Sequence, residues 1–447
     1  MSTISASQAM ARFGLGFRVD GDRAARQDAR GALLAALDHP KDALLRDDDL
    51  PDSREAFALT QAAQQARRKG MDAPDGPTPQ NPAALYRSEA AARLKRMSQT
   101  QTGVLERLVA FWTNHFCVQA GASQAVRAMA GAFEREAIRP HVLGKFEDML
   151  VAVTRHPAML LYLNNAGSVG PDSVVGQRRG RGLNENHARE LMELHTLGVS
   201  GGYDQADVVA LAQTLTGWSF GRNADRVESY GQFQFNKGAH EPGEHTIMGV
   251  SYTQKGESQG MAVLTDLARS PATAHHLATK LARHFVADEP PSSLVETLAS
   301  SYLASDGDLK ALSKTLLTAE EAWTAPPTKI RSPQEFVWAV VRAVEPNVEA
   351  PFVLRAFEAA GQPLWNPPSP AGFNDGTSVW LAPSGLTTRL EIAERLASRS
   401  RKDDPRQVAE AVLGDALSPA TRQAIERAES STQGLALLLM SPEFQRR

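Results

Sequence analysis

The sequence predicts an all-α protein: a large multi-helix globular array with one small β-hairpin or flap at about residues 231–252. Three observations predict it. Apolar residues recur at three- and four-residue spacing along most of the chain, placing them on one face of successive helices. Helix starts such as Ser332-Pro333-Gln334-Glu335 combine an N-cap, a first-turn proline and a capping-box glutamate, and Ser270-Pro271 begins another helix the same way. Two-residue alternation shows at Phe233 and Phe235, followed by a Gly/Pro turn and β-branched residues, which reads as a hairpin or extended flap.

In chain order, helical periodicity covers 23–37, 54–67, 83–97, 103–117, 125–138, 146–155, 204–215, 261–268 and 273–286. It resumes at 292–303, 309–317, 333–344, 388–398 and 421–439. Irregular connections are expected at 70–80, 167–183, 325–331 and 362–384, the last rich in proline, tryptophan and glycine. The expected organisation is an N-terminal helical segment (1–80), a central helical domain with the candidate site and flap (81–330), and a C-terminal helical segment (331–447).

Composition excludes several classes. With 447 residues, 42% hydrophobic and 22% charged, the chain has the make-up of a globular protein. A net charge of −3 supplies no field for nucleic acid, so no nucleic-acid partner is expected. Cys117 stands alone, which rules out an internal disulfide framework and a thiolate metal cluster. No stretch reads as a membrane span, and the first residues lack the apolar core of a secretory signal. The default expectation is the cytoplasm, with export alongside a partner left open.

The most informative stretch is 184–199, a helix expected to start at Asn184 and stop at Gly198. At about 100° per residue, Glu185, Asn186, Arg189, Glu190 and Glu193 share one face, and His195 falls among the apolar residues of the other. Either this is a surface helix with Glu185–Arg189–Glu193 ion pairs, or its polar face lines a cleft. In the second case Glu190 and Glu193 are candidate catalytic carboxylates or oxygen ligands, with His195, His115 and Arg189 in supporting roles. His115 lies in Phe111-Trp112-Thr113-Asn114-His115-Phe116, where aromatic flanks demand that the polar groups be hydrogen-bonded or bound to something.

His240, Glu241 and His245 cluster in the flap, so Glu190, Glu193, His115 and His240 form a candidate ligand set for a divalent metal, with His195 and Glu241 in the wider pool. Arg178, Arg179 and Arg181, among glycines before the 184 helix, are a candidate anion-binding loop. His275, His276, Lys280, Arg283 and His284 share a helix, and like charges on one face predict solvent exposure. Trp365, Phe373 and Trp380 around a proline run read as an aromatic platform or a lid packed over helices.

The chain resembles the bacterial family catalogued as domain of unknown function 1800. The resemblance rests on FWTNHF (111–116), HPAMLLYLNN (156–165), LNENHARELMELHTLGVSGGYDQADV (183–208), LTGW (215–218), HEPGEHTIMG (240–249), KLARHFVADEPP (280–291) and GQPLWNPPSPAGFNDGTSVW (361–380). It implies that Asn184, Glu185, Asn186, Arg189, Glu190, Glu193 and His195 match the family's central motif, and that His115 matches its histidine before phenylalanine. Three positions depart from the pattern: Thr113 stands where members carry a second histidine, Glu241 where they carry aspartate, and His187 where an aromatic residue is general. The resemblance also implies a companion protein of the family numbered 1501, which looks like an alkaline-phosphatase-type hydrolase. Two expectations follow: a metal-assisted, hydrolase-like enzyme with a carboxylate/histidine cleft, or a non-catalytic helical partner or maturation scaffold for that companion.

Overall fold

The computed structural model describes residues 4–21, 23–69, 81–179, 182–223, 230–345, 348–402 and 404–447. The expected loop at 70–80 lies outside the described residues. Helices supply nearly all the regular structure, and their ends follow local chemistry. Ser332 caps Pro333–Val344 through a complete capping box, and Ser270 caps Pro271–Phe285 by accepting from Ala272 N. The periodicity at 23–37 resolves into two helices, Arg23–Gln27 and Ala29–Ala36, because the Asp28 carboxylate caps the second.

The flap expected at 231–252 is present as two pieces. Phe233–Phe235 pairs antiparallel with Trp218–Phe220, and His245–Ile247 pairs with Val250–Tyr252. Among the described residues the helices are otherwise joined by turns, and none is long and apolar enough to cross a membrane.

Helix Val104–His115 runs through the interior and is buried on most of its circumference, at Leu105, Glu106, Arg107, Leu108, Val109, Phe111, Trp112 and His115 among others. The apolar core around it runs from Ala9 to Phe444. A buried helix that carries Glu106 and Arg107 needs partners for both charges. Arg139 supplies the first, at 2.9 Å from Glu106 and 2.8 Å from Glu134. Glu134 also takes Arg93 at 3.1 Å and the Trp365 indole N–H at 2.9 Å. Arg107 pairs with Glu335 at 3.0 Å, and Arg447 reaches the same carboxylate at 2.9 Å. Two ionic knots, one on each side, therefore hold this helix.

Breaking a fully buried pair leaves a bare charge behind, so Glu134→Ala is expected to lower stability by about 3–5 kcal/mol. An exposed pair is screened by solvent, and Glu391→Ala, which loses the Glu391–Arg395 contact, is expected to stay within about 0.5 kcal/mol of the parent. Urea denaturation midpoints of the two variants check both values.

Candidate functional site

The 184–199 segment is helical, but not in one register. Asn186–Glu190 is α-helical, and Leu191–His195 opens into a π turn. The Asn184 side chain accepts from Asn186 N at 2.9 Å, and Gly198, at φ +80°, closes the turn by donating from its N–H to the Met192 carbonyl at 3.1 Å. A Cβ at position 198 would lie 2.6 Å from His276 Nδ1, so glycine is needed there for space as well as for conformation.

A helix end leaves carbonyls without partners, and side chains satisfy those of the π turn. Thr196 Oγ1 donates to the Leu191 carbonyl at 2.7 Å. His276 Nε2 donates to the Leu194 carbonyl at 3.2 Å, and His115 Nε2 donates to the His195 carbonyl at 3.1 Å. These bonds fix the Nε2–H form of His115 and leave its Nδ1 lone pair buried and unpaired. His195 is buried against the Phe116 ring, 5.0 Å between centroids, with its own Nδ1 unpaired. Burial holds both histidines well below their ordinary pKa.

On the outer face the expected division holds: Glu185, Arg189, Glu190 and Glu193 are half-buried, while His187, Ala188, Leu191, Met192 and His195 are buried. Arg189 is committed to a surface triad, 3.0 Å from Glu185 and 2.8 Å from the Gln205 amide oxygen. Glu190 and Glu193 make no hydrogen bond or ion pair within the described residues. Burial first, and then the charge of Glu193, raise the pKa of Glu190, with Arg189 opposing. Beside them the Tyr162 hydroxyl is buried without a partner, and burial followed by the nearby Cys117 and Glu190 raises its pKa too.

The helix Pro271–Phe285 corrects one expectation. Of its charged residues His275 and Arg283 are exposed as expected, whereas His276 and Lys280 are partly covered and His284 is buried. The line His276–Lys280–His284 turns inward because its partners lie far away in sequence. His284 Nδ1 donates to Asp375 at 2.8 Å, and Arg107 lies 3.4 Å from His284 Nε2. Lys280, between the histidines, has no hydrogen bond or ion pair among the described residues. Burial lowers its pKa to about 8, against the pull of Asp375 and Cys117. The Cys117 thiol donates to the Pro370 carbonyl at 3.2 Å and burial pushes its pKa up to about 12, so it stays protonated at neutral pH.

The proline–tryptophan segment folds over this seam as a lid. Asn114 and Phe373 exchange two hydrogen bonds, at 3.0 and 2.8 Å, and Tyr86 donates to the Leu364 carbonyl at 2.6 Å. Gly372, at φ +81°, lies so close that a Cβ would stand 2.5 Å from the Asn114 carbonyl. Beneath the lid a cavity of about 70 Å³ is lined by Arg107, Asn114, Cys117, His284, Glu335 and Asp375 among others.

The other sequence candidates lie elsewhere. Thr113 donates to Glu134 at 3.3 Å, on the far side of its helix from His115, so the departure at 113 alters the ionic knot and leaves the His115 contacts untouched. His240 donates from Nδ1 to the Thr216 carbonyl at 3.0 Å, and the Glu241 carboxylate accepts from Asp172 N at 3.0 Å, so both pin the flap. The described residues hold no group of three or more His, Cys, Asp or Glu side chains that could bind a metal ion; Glu190, Glu193, His115 and His240 are not assembled into one. Arg178 is exposed, and the Arg179 side chain and Arg181 lie outside the described residues.

A family model described as "Protein of unknown function (DUF1800)" matches residues 8–446. The chain belongs to this family. No curated protein and no solved structure matches it. The family match covers the π turn, the lysine stripe and the lid alike. Sequence reasoning missed Lys280, His284 and Asp375 as one seam. The four-residue spacing of His276, Lys280 and His284 was the available signal, because a polar stripe on so apolar a helix needs a reason.

His187 is fully buried with both ring nitrogens unpaired, and burial lowers its pKa to about 4. Replacing it by phenylalanine removes those unsatisfied atoms and is expected to stabilise the protein by about 1 kcal/mol or more at pH 7. A base with a depressed folded-state pKa contributes stability above its unfolded value, about 6.5, that is lost as pH falls toward its folded value, about 4. The gain from His187→Phe should therefore grow between pH 6.5 and 4, as urea titrations across that range would measure.

Proposed function

We propose that the protein is a hydrolase-like enzyme whose proton chemistry is carried by Glu190 and Glu193. The observation that carries this reading is a pair of half-buried carboxylates, three residues apart on one helix, with no hydrogen bond or ion pair among the described residues and with the pKa of Glu190 raised by burial and by Glu193. Carboxyl groups whose environments push them apart form an acid and a base. In this reading Glu190 gives a proton to the leaving group as the scissile bond breaks. Glu193 takes one from the attacking water, and the pair exchanges that proton to restore its starting state. Lys280 stabilises developing negative charge, and Tyr162 orients the substrate. The histidines stiffen the wall: His115 and His276 hold the π turn through its carbonyls. The metal-assisted form of this chemistry would need Glu190, Glu193, His115 and His240 to converge, and the carboxylate pair supplies a route that does not require that.

A second reading is favoured by a separate observation. Leu386, Leu390 and Leu437 are each about 40% exposed on neighbouring helices of the C-terminal segment, which suits a helical scaffold docking a companion of the 1501 type. Co-expression with such a companion tests it: Leu390→Glu should abolish co-purification, and a complex that tolerates this charge rejects the surface.

The enzyme reading is tested with chromogenic glycosides, esters and phosphate esters, assayed with and without chelator. Glu190→Gln and Glu193→Gln are each expected to lower kcat at least about 100-fold, with thermal midpoints near the parent because both side chains are half-exposed. Turnover that survives both substitutions, or no turnover across the panel, overturns the proposal. Loss of activity in chelator with stoichiometric bound metal would replace it with the metal-assisted form.

A further inference from the structure

Among the described residues the buried arginines are partnered, with one exception. Arg93 and Arg139 meet Glu134, and Arg107 and Arg447 meet Glu335. Arg12 and Arg342 donate to main-chain carbonyls, and Arg389 donates to Gln445 and to the Arg331 carbonyl. Arg331 is only 4% exposed, yet its side chain makes no hydrogen bond or ion pair within the described residues, and its Nη1 is fully enclosed without a partner. The guanidinium instead lies over the Phe444 ring, 4.8 Å from the centroid.

This arrangement is held in place. Arg331 N donates to the Gln445 carbonyl at 2.9 Å, and Arg389 grips the Arg331 carbonyl at 2.6 Å, so the main chain cannot withdraw the side chain to solvent. Glu335, the nearest carboxylate in charge terms, is already occupied by Arg107 and Arg447. Burial, and then the neighbouring cations Arg107, Arg447 and Arg389, lower the Arg331 pKa to about 9 against the opposing charge of Glu335. A buried cation with surplus positive charge around it destabilises the protein unless an anion meets it.

Arg331 borders a cavity of about 250 Å³ whose other walls include Ala11, Phe17, Ala339, Val412 and Leu413. The one carboxylate on its border, Glu443, is committed to Thr421 at 3.0 Å and to Ser418 N at 3.2 Å. None of the carboxylates or histidines of the proposed catalytic cleft lines this cavity.

We propose that this pocket is a binding site for a small carboxylate with an apolar body, its carboxylate forked onto Arg331. A planar guanidinium matches a carboxylate through two parallel N–H bonds. The apolar walls accept a hydrocarbon or aromatic body, and the small volume limits its size. Arg331 is the buried guanidinium of the pocket and Arg446 an exposed one on its border, and a carboxylate with an apolar body gains the contact of the apolar walls that a phosphate cannot use.

The test uses the full-length protein, with benzoate and hexanoate as probes, and benzamide and inorganic phosphate as controls, in titration calorimetry. Benzoate or hexanoate is expected to bind one per chain, and benzamide, which lacks the charge, is not. Arg331→Met should weaken binding by roughly tenfold or more while keeping or raising the thermal midpoint, because it removes an uncompensated buried charge. Ala416→Leu narrows the same cavity, leaves the guanidinium intact and should weaken binding as well; it decides the matter should the methionine variant not fold. Three results overturn the proposal: no binding of either carboxylate, equal binding to the variants, or phosphate binding tighter than benzoate.

Discussion

The seam between the helices depends on the open carbonyls of one π turn. At Leu191–His195 the helix takes in an extra residue, and the carbonyls of Leu191, Leu194 and His195 must bond outside the regular ladder. Three side chains answer: Thr196 from the same segment, His276 from Pro271–Phe285, and His115 from Val104–His115. Two of those donors belong to other helices. The turn therefore sets where both helices end up relative to the carboxylate face. With His276 docked, four-residue spacing carries Lys280 and then His284 along the same line toward Asp375. One local irregularity thus aligns residues from four parts of the chain.

The ionic knots do complementary work. A helix as buried as Val104–His115 could slide or rotate if only apolar contacts held it, because such contacts are not directional. Glu106 on Arg139, and Arg107 on Glu335, fix its rotation from both sides. Rotation is what decides whether His115 reaches the His195 carbonyl. Stability and site geometry are therefore coupled through charges that touch no candidate substrate group.

Much of this was legible in the sequence, and the rest was illegible for physical reasons. Caps and stops follow rules a few residues long, so Ser332, Ser270 and Gly198 could be read directly. So could the Glu185–Arg189 pair, four residues apart, and the half-polar character of the Asn186 helix. A fixed angle of 100° per residue cannot show an inserted residue, so the π turn was invisible. The direction of the His276–Lys280–His284 stripe was misread because repulsion between neighbours is local, while the partners that draw it inward, the Leu194 carbonyl and Asp375, lie about 80 to 90 positions away. Thr113 could not be judged for the same reason: its partner Glu134 sits on the next helix, away from His115. The flap was found, but the partner of Phe233–Phe235 proved to be Trp218–Phe220, which precedes it.

Two sets of polar groups differ in whether the protein itself completes their bonding. Glu134 is buried, Glu335 and Asp375 are partly buried, and all three are engaged; desolvation alone would raise each of their pKa values, yet their partners hold them ionised. Such groups have no capacity left for a ligand. Glu190, Glu193, Lys280 and Arg331 are covered to different degrees, and their side chains make no hydrogen bond or ion pair among the described residues. Desolvation without compensation costs free energy that folding did not need to spend, since an apolar residue of similar volume would have avoided it. The four groups fall in separate places: Glu190 and Glu193 on the outer face of the Asn186–His195 segment, Lys280 on the helix Pro271–Phe285, and Arg331 in the pocket beside Phe444.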